Sequence, residues 1–390
     1  MISVAAALES LLALVSPLPS EEVALDEACG RVLAQSLRAG RDQPPFAASS
    51  MDGYALKAVE AELHTQFKII GEAAAGHGFS GKVGAGQAVR IFTGAPVPEG
   101  ADFVVIQEDV TRQGDLITIA HDPGDTPNIR PRGADFAEGT VLPAPRRLGS
   151  RDIALLAAMN HAVVPVTRRP EVAIISTGDE LVLPGETPAP DQIIASNSFG
   201  LKAMLREMGC IARLLPIARD TRASLQSAFR LAQGADLILT IGGASVGDHD
   251  LVAGVAADLG MEQAFYKVAM RPGKPLMAGR MGAAAMIGLP GNPVSAMVCG
   301  HVFVAPVVAR MQGLDPGAPR LRRATLAEAL TQNGPRQHYM RAVVEDGRVT
   351  AFDRQDSSLL TILAQSNALL VRPPHDPPRA PGEMVDYLPI

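Results

Sequence analysis

The stretch Leu237-Ile238-Leu239-Thr240-Ile241-Gly242-Gly243-Ala244-Ser245-Val246-Gly247-Asp248 decides the fold of the middle of the chain. Its apolar first half predicts a buried strand, and a glycine-rich loop then leads into a helical segment. Open α/β sheets bind their ligands where such loops leave the carboxyl ends of the strands. By spacing alone, the loop is either a ligand site or a plain tight turn.

Strands and helices alternate on both sides of this stretch. Runs at 172–176 and 211–217 predict strands, and apolar stripes at 198–208 and 221–233 predict helices ended by Gly209 and Gly234. This rhythm predicts a doubly wound, mainly parallel sheet, and we place the central α/β domain at 169–315. The predicted fold class is therefore a multidomain α/β protein.

The flanking segments have different patterns. Residues 43–136 predict a β-rich insert, because short apolar runs at 67–70, 88–92, 103–107 and 116–120 are separated by turn residues. Helical stripes at the start of the chain and at 150–160 predict a discontinuous, helical or mixed N-terminal domain of 1–42 and 137–168. Asp346-Gly347 between two alternating runs predicts a hairpin, and with it a small β-barrel-like C-terminal domain at 316–390.

Composition limits the function. Hydrophobic residues make up 47% of the 390 residues, which favours folded cores, and a net charge of −6 with 4% aromatic residues offers no platform for nucleic acid. The three cysteines have no CxxC spacing, which predicts a reducing, cytoplasmic location. The uncharged run 293–309 is near the lower limit of about 17 residues for spanning a bilayer, so we predict a buried helix and no membrane contact.

A second glycine loop, Gly288-Leu289-Pro290-Gly291-Asn292-Pro293, ends a predicted strand and opens a helix. Asn292 occupies the N-cap position and Pro293 the first helical position, and such a helix start attracts anions. Cationic side chains lie between the two loops, namely Lys267, Arg271 and Lys274. Together they indicate a phosphate or oxyanion site; a solvated basic edge is the alternative.

Carboxylates follow the same strand ends. Asp179 and Glu180 come after the first strand of the domain, and Asp248 and Asp250 come after the third. Carboxylates beside phosphates require a cation, and Mg²⁺ takes one or two carboxylates together with phosphate oxygens. Ordinary helix capping by Asp179 or Asp250 is the alternative.

One near-match to a nucleotide-binding loop is set aside. The segment Gly76-His77-Gly78-Phe79-Ser80-Gly81-Lys82-Val83 approximates a P-loop, but Val83 stands where the magnesium-binding hydroxyl belongs. Gly84 and Gly86 follow, so no helix starts there, and NTPase activity is not predicted.

Blocks in order along nearly the whole chain resemble the molybdopterin molybdenumtransferase family, which includes the E domain of gephyrin. These blocks are Ser50-Met51-Asp52-Gly53-Tyr54-Ala55, Thr93-Gly94-Ala95-Pro96-Val97-Pro98, Asn128-Ile129-Arg130 with Gly133 and Asp135, Ser176-Thr177-Gly178-Asp179-Glu180-Leu181, the loop from Gly242 to Asp250, Arg271-Pro272-Gly273-Lys274-Pro275, and Gly288 to Ser295. Arg271 replaces a common lysine and Ala244 a frequent valine; the first change keeps the charge but alters its geometry.

The resemblance implies that adenylylated molybdopterin and molybdate give molybdenum cofactor and AMP with the help of Mg²⁺. The catalytic residues it implies are Asp52, Thr93, Asp135, Glu180, Asp220, Asp250, Lys267, Arg271 and Lys274, with Glu180 and Asp250 as the metal ligands. The residues implied to bind the pterin nucleotide are Gly242, Gly243, Ser245, Gly247, Pro290, Gly291, Asn292 and Pro293. The implied molybdate pocket consists of Lys274, Pro275, Ser295, Arg341 and Ser357, a set of cationic and hydroxyl donors suited to a tetrahedral dianion.

The resemblance also implies a homodimer whose active site is completed across the interface. Asp52, Thr93 and Asp135 lie in the insert, far along the chain from the central domain, and a composite site explains their presence; turn residues are the alternative. Implied protein partners are the molybdopterin adenylyltransferase and the molybdoenzymes that receive the cofactor. Competing functions are the adenylyltransferase step itself, whose family lacks the flanking domains, and a non-catalytic scaffold.

Overall fold

A six-stranded sheet forms the centre of the computed structural model, which describes residues 1–243, 251–315 and 321–390. The first four strands of the sheet run parallel to one another, the fifth pairs antiparallel with the fourth, and the sixth pairs antiparallel with the fifth. In spatial order the strands are Ile211–Leu214, Glu171–Ser176, Leu237–Ile241, Ala284–Leu289, Met277–Met281 and Glu262–Tyr266.

Helices cover both faces of this sheet. Adjacent strand residues such as Ile174 and Ile175 point to opposite faces and belong to different cores. One core packs under Asn197–Glu207 and the helix Pro293–Met311, and the other packs under Arg222–Leu231 and Leu251–Asp258. The prediction of a doubly wound, mainly parallel sheet is confirmed.

The first helix, Val4–Ala13, packs on the central sheet and not on the N-terminal domain. Its fully buried Ala7 and Leu11 join the core of the α/β domain, beside the helical segment Ala305–Met311. The helix Ser150–Ala158 packs in a different core, because an apolar stripe predicts a buried face but does not specify the surface that covers it; the assignment of both helices to one N-terminal domain remains a prediction.

Segments on either side of the insert build a small four-stranded sheet. Its strands, in spatial order, are Ser20–Ala24, Val163–Thr167, Val32–Leu33 and Arg146–Arg147. The helix Ser150–Ala158 contributes Leu156 to the core of this unit. Two further strands, Leu37–Arg38 and Val141–Leu142, pair with each other. The numerical bounds of the four domains remain a prediction.

The insert holds a second six-stranded sheet. Its strands, in spatial order, are Phe103–Ile106, Gly53–Leu56, Gln87–Ile91, Gln66–Ala73, Leu116–Ile119 and Val110–Gln113, and Ala48–Ser49 pairs separately with Ile129–Arg130. The four strands predicted here are confirmed. Gly53–Leu56 was missed because it is buried on both faces and shows no alternation.

Five C-terminal strands close into a barrel. The strand Gln337–Glu345 pairs on one side with Arg348–Ala351 and on the other with Ala368–Arg372, while Met384–Pro389 and Arg322–Leu326 complete the circle. At the predicted hairpin, Asp346 and Gly347 have φ values of 48° and 74°, as a type I′ turn requires. The short strand Met270–Arg271 pairs with Gln337–Glu345 and joins the barrel to the central domain.

The helix Pro293–Met311 is apolar and 19 residues long, so by length and composition it could cross a membrane. However, 72% of its most apolar 18-residue segment is buried inside the protein, and its apolar side chains belong to the largest hydrophobic core. A buried core helix is thus the interpretation that the structure supports.

Candidate active site

An open cleft of about 1190 Å³ lies at the carboxyl ends of the parallel strands. Three neighbouring strands end in its wall, where Thr177, Gly242 and Pro290 follow them. Glycines, prolines and charged or polar side chains also line it: Gly178, Glu180, Asp220, Arg222, Gly243, Pro275, Gly291, Asn292 and Pro293. The cleft is where the fold predicts a ligand.

Glycine is required in the first loop because the backbone passes very close to its neighbours. A Cβ on Gly242 would lie 2.8 Å from the Thr177 carbonyl oxygen, and one on Gly243 would lie 2.2 Å from Cγ2 of Val252. Both residues also have positive φ, at 89° and 67°. Their backbone consequently forms the floor of the cleft. Ser245, Gly247 and Asp250 lie outside the described residues.

The second glycine loop meets the first. An added Cβ on Gly291 would lie 3.5 Å from Cα of Gly242, and the Gly291 carbonyl accepts a 2.7 Å hydrogen bond from the Asn197 amide. Two loops that are distant in sequence therefore form one surface. Asn197 was missed by sequence reasoning, although its place at the start of a helix after a strand end was a usable signal.

Two of the predicted carboxylates reach the cleft, those of Glu180 and Asp220. The Glu180 carboxylate folds over Gly178, where an added Cβ would lie 2.3 Å from Oε2. Asp179 does not point into the cleft site; its Oδ1 accepts a 3.2 Å hydrogen bond from the backbone N–H of Asp220. In the described ranges no three His, Cys, Asp or Glu side chains cluster, and Mg²⁺ beside phosphate commonly takes only one or two carboxylates.

Arg341 is the largest fully buried side chain of the described residues, with 0% exposure. Its Nη2 donates to the Asp356 carbonyl oxygen at 2.9 Å, but Nε and Nη1 have no hydrogen-bond partner in the part of the chain that the structure describes. Burial lowers the pKa of Arg341, and the nearby charge of Arg271 lowers it further. A buried guanidinium with two unsatisfied donors is costly unless an anion meets it.

Hydroxyl and amide groups adjoin Arg341. Ser357 follows Asp356 and its Oγ accepts a 3.1 Å hydrogen bond from Asn292, while its carbonyl accepts one of 3.0 Å from Val294 N–H. Ser295, on the first turn of the same helix, is 4% exposed. Asn292 thus holds the predicted N-cap position, but its side chain bonds Ser357 and not the helix backbone.

The three cations predicted between the loops take different places. Arg271 lies beside His338 on the paired strand and close to Arg341, and burial together with these arginines lowers the pKa of His338 to about 3. The Lys267 ammonium lies 4.7 Å from the centre of the Tyr266 ring. The Lys274 backbone carbonyl accepts a 3.0 Å hydrogen bond from Val268. None of the three belongs to the described lining of the cleft, and their part in binding a phosphate or oxyanion remains a prediction.

Asp52 and Thr93 form a preorganised pair in the insert. Asp52 Oδ1 accepts hydrogen bonds from the Thr93 backbone N–H at 2.7 Å and from its hydroxyl at 2.8 Å, and these two bonds lower the pKa of Asp52. Behind the pair, Arg90 lies 5.1 Å and 4.7 Å from the ring centres of Tyr54 and Phe92. This pair does not line the cleft of its own chain.

Asp135, the third acidic residue predicted from the insert, is exposed, and its backbone N–H donates to the Gln43 carbonyl at 2.9 Å. It also does not line the cleft of its own chain.

Fold and site together define a class of protein: an α/β protein with a glycine-lined cleft at the carboxyl ends of its parallel strands, flanked by β domains. Family models match the chain in sequence: the MoeA N-terminal region (domain I and II) over 2–160, a probable molybdopterin binding domain over 173–310, and the MoeA C-terminal region (domain IV) over 323–390.

Individual proteins agree. The chain is 36% identical over 370 residues to a molybdopterin molybdenumtransferase of Nostoc, covering 91% of this chain and 85% of that one. It is 38% identical over 300 residues to the Haemophilus influenzae protein of the same name, covering 76% and 74%. A solved molybdopterin biosynthesis moeA protein from Pyrococcus horikoshii matches with a TM-score of 0.86 and 27% identity over 100% of both chains. This chain belongs to the molybdopterin molybdenumtransferase family.

Proposed function

We propose that this chain inserts molybdenum from molybdate into adenylylated molybdopterin and releases AMP. The observation that carries the proposal is the buried Arg341 with its two unpartnered donor atoms; it bonds the Asp356 carbonyl, two residues before Ser358, which lines a cleft of nucleotide size. A ligand with a nucleotide part and a reaction with an oxyanion account for both features. The family membership supports the same reaction.

Molybdate is a tetrahedral dianion, and Arg341 supplies a planar pair of donors that suits two of its oxygens. Ser295 and Ser357 add hydroxyl groups, Lys274 and Arg271 add charge, and Pro275 joins this pocket to the cleft. Charge-assisted hydrogen bonds in a buried site are stronger than exposed ones, which favours binding of a doubly charged anion.

The pterin nucleotide belongs in the cleft, with its phosphates against the backbone of Gly242, Gly243 and Gly291. Glu180 and Asp220 line the cleft and would repel those phosphates without a counter-ion, which supports a bound Mg²⁺; Glu180 and Asp250 are its proposed ligands. An ion held there would supply positive charge against the phosphate groups and the departing AMP. The protein's own cations stabilise the same charge, and no covalent nucleophile is required.

We place Asp52, Thr93 and Asp135 in the active site of a second subunit. Thr93 is exposed, Asp52 is half-buried, and hydrogen bonds fix the pair, yet it lies outside the cleft of its own chain, so a homodimer gives it a role. The cytoplasm is the proposed location, and the adenylyltransferase and recipient molybdoenzymes are the proposed protein partners. The matched N-terminal and C-terminal regions favour this reaction over the adenylyltransferase step, whose family lacks them.

The reaction is tested by incubating the purified protein with adenylylated molybdopterin and Mg²⁺, with and without molybdate, and following AMP. We expect AMP release that depends on molybdate. Release at the same rate without molybdate would contradict the proposal. The metal ligands are tested in the same assay. We expect a higher Mg²⁺ concentration for half-maximal rate in Glu180→Gln and in Asp250→Asn. An unchanged Mg²⁺ requirement in either variant would show that the substituted residue is not a ligand.

The composite site is tested by mixing two inactive variants. In a dimer formed from one Asp52→Asn chain and one Arg341→Met chain, one of the two sites has both native residues. Random exchange of subunits therefore restores about a quarter of the wild-type sites. If the mixture stays inactive although the subunits exchange, each site is built within one chain.

A further inference from the structure

Arg222 lines the cleft, but the proposed function gives it no role. It is the first residue of the helix Arg222–Leu231, whose N-cap Thr221 accepts a 3.3 Å hydrogen bond from Ser224 N–H. Within the described lining of the cleft it is the one cationic side chain, and the same lining carries the carboxylates of Glu180 and Asp220. Its charge is therefore of the sign that an anionic ligand needs at this end of the cleft.

In this structure Arg222 is engaged elsewhere. Its Nη1 forms an ion pair with Oδ2 of Asp258, the last residue of the helix Leu251–Asp258. The two side chains are 59% and 51% exposed. Ion pairs this exposed contribute little to stability, because water solvates both charges well and both side chains lose freedom when they pair. Breaking this pair is consequently easy.

We propose that Arg222 binds a phosphate group of the nucleotide and that Asp258 holds Arg222 until the ligand arrives. The inference rests on the proposed function of the cleft and adds a residue to it. A phosphate dianion carries more charge than a carboxylate and offers several oxygens to the guanidinium fork, so it competes well with Asp258. The long, exposed side chain of Arg222 leaves it free to turn from Asp258 toward the cleft.

The proposal makes predictions of opposite sign for the two partners. Arg222→Ala removes the phosphate ligand and weakens binding of AMP by about tenfold, the usual effect of losing a charge-assisted hydrogen bond. Asp258→Asn removes the competitor and tightens AMP binding by about two- to fivefold, in line with the weakness of exposed ion pairs. In the double variant the gain disappears, because Asp258 acts only through Arg222.

The measurement is calorimetric titration of the full-length protein with AMP and, separately, with adenosine, in the presence of Mg²⁺. Adenosine lacks the phosphate, so its affinity is expected to be the same in wild type and in every variant. Arg230→Ala is the matched control: it removes the same charge from the same helix at an exposed position outside the described lining of the cleft. Arg230→Ala is expected to bind AMP as the wild type does.

Several outcomes overturn the proposal: AMP affinity that is unchanged in Arg222→Ala, weaker binding in Asp258→Asn, or an equal effect of Arg222→Ala on adenosine. Tighter binding in Asp258→Asn that persists when Arg222 is also alanine shows a general charge effect and overturns it too. If Arg222→Ala does not fold, the AMP affinity of Arg222→Gln replaces it, and the proposal then requires weaker binding in Arg222→Gln and tighter binding in Asp258→Asn. A wild-type protein that fails to bind AMP in the cleft refutes the proposed function itself, whereas wild-type binding that ignores Arg222 refutes only this step.

Discussion

The side-chain amide of Asn292 donates a 3.1 Å hydrogen bond to the hydroxyl of Ser357. Asn292 caps a helix of the central domain, whereas Ser357 belongs to the C-terminal part of the chain, next to the carbonyl of Asp356 that Arg341 binds. The proposed oxyanion pocket therefore combines residues from two parts of the molecule. Its geometry depends on how the barrel docks against the start of one helix.

Arg341→Met separates binding from stability. Methionine fills a similar volume and removes a buried charge that has two unsatisfied donors, so the thermal midpoint is expected to stay equal or rise. Molybdate-dependent AMP release is expected to fall by about a hundredfold or more, because charge stabilisation in the pocket is lost. Thermal unfolding and the AMP assay measure the two effects.

Arg372→Met is the matched control for that variant. Arg372 is 3% exposed and pairs with Asp376, so its loss leaves this buried carboxylate with the partly exposed Arg379 as its remaining cation and is expected to cost about 3 kcal/mol of unfolding free energy. If Arg341→Met destabilises the protein as much as Arg372→Met does, Arg341 is a structural ion and the anion pocket is refuted.

The sequence predicted the central domain well because local and global signals agree there. The strand Leu237–Ile241 was predicted with its observed bounds, since five buried residues end at two glycines that no other residue type could replace. The meeting of the two glycine loops followed from the rule that parallel strands share one carboxyl edge.

Features set by tertiary docking were not predictable in the same way. Nothing in the stripe of Val4–Ala13 distinguishes the two cores it could cover, and nothing near Asn292 reveals that its amide meets Ser357. Arg222 was missed although it follows a strand end, because a lone arginine at a helix start is usually solvated. Whether Asp52 and Thr93 serve the cleft depends on a second subunit, which periodicity within one chain does not encode.

Gly178→Ala tests whether the position of the Glu180 carboxylate matters. The added methyl would lie 2.3 Å from Oε2 of Glu180, so the carboxylate must move, and catalytic groups displaced by a fraction of an ångström lose about tenfold or more in rate. We expect a lower turnover number and a higher Mg²⁺ requirement in the AMP assay.

Gly185→Ala provides the comparison for that change. Gly185 also has positive φ, at 94°, but an added Cβ meets nothing within 4 Å. Both variants should lose about 1 kcal/mol of stability from backbone strain, and only Gly178→Ala should lose activity. Equal activities would show that the carboxylate of Glu180 is not needed where it lies.

Thr93→Val tests the role of the Asp52 carboxylate through pH. The Thr93 backbone N–H and hydroxyl hold the pKa of Asp52 below its usual value, and valine removes only the hydroxyl. The pKa of Asp52 should then rise, so the decline of kcat/KM on acidification should begin at a higher pH than in the wild type. At neutral pH, kcat/KM should fall about fivefold because the hydrogen bond is missing.

The control for the pH profile is Thr111→Val, which makes the same change at an exposed position of the insert. Its acid limb should superimpose on that of the wild type. A wild-type profile for Thr93→Val as well would mean that ionisation of Asp52 does not limit the reaction.

Acid stability of the barrel should depend on Asp376. Burial opposes its ionisation, but hydrogen bonds from Arg379 and Arg372 outweigh that effect, and the pKa of Asp376 is lowered. A carboxyl whose folded pKa lies below its unfolded value of about 3.9 adds stability above that value and loses it as the pH falls through the folded pKa. Asp376→Asn should therefore lower the free energy of unfolding by about 3–5 kcal/mol at neutral pH. It should also make that free energy depend less on pH below about pH 4, and urea unfolding measures both effects.

Asp386→Asn is the control for this change. Asp386 lies 3.9 Å from Arg323, and both side chains are more than half exposed. The variant should therefore change neither the free energy of unfolding at neutral pH nor its dependence on pH measurably. A steep acid loss that survives in Asp376→Asn would assign the transition to other carboxylates.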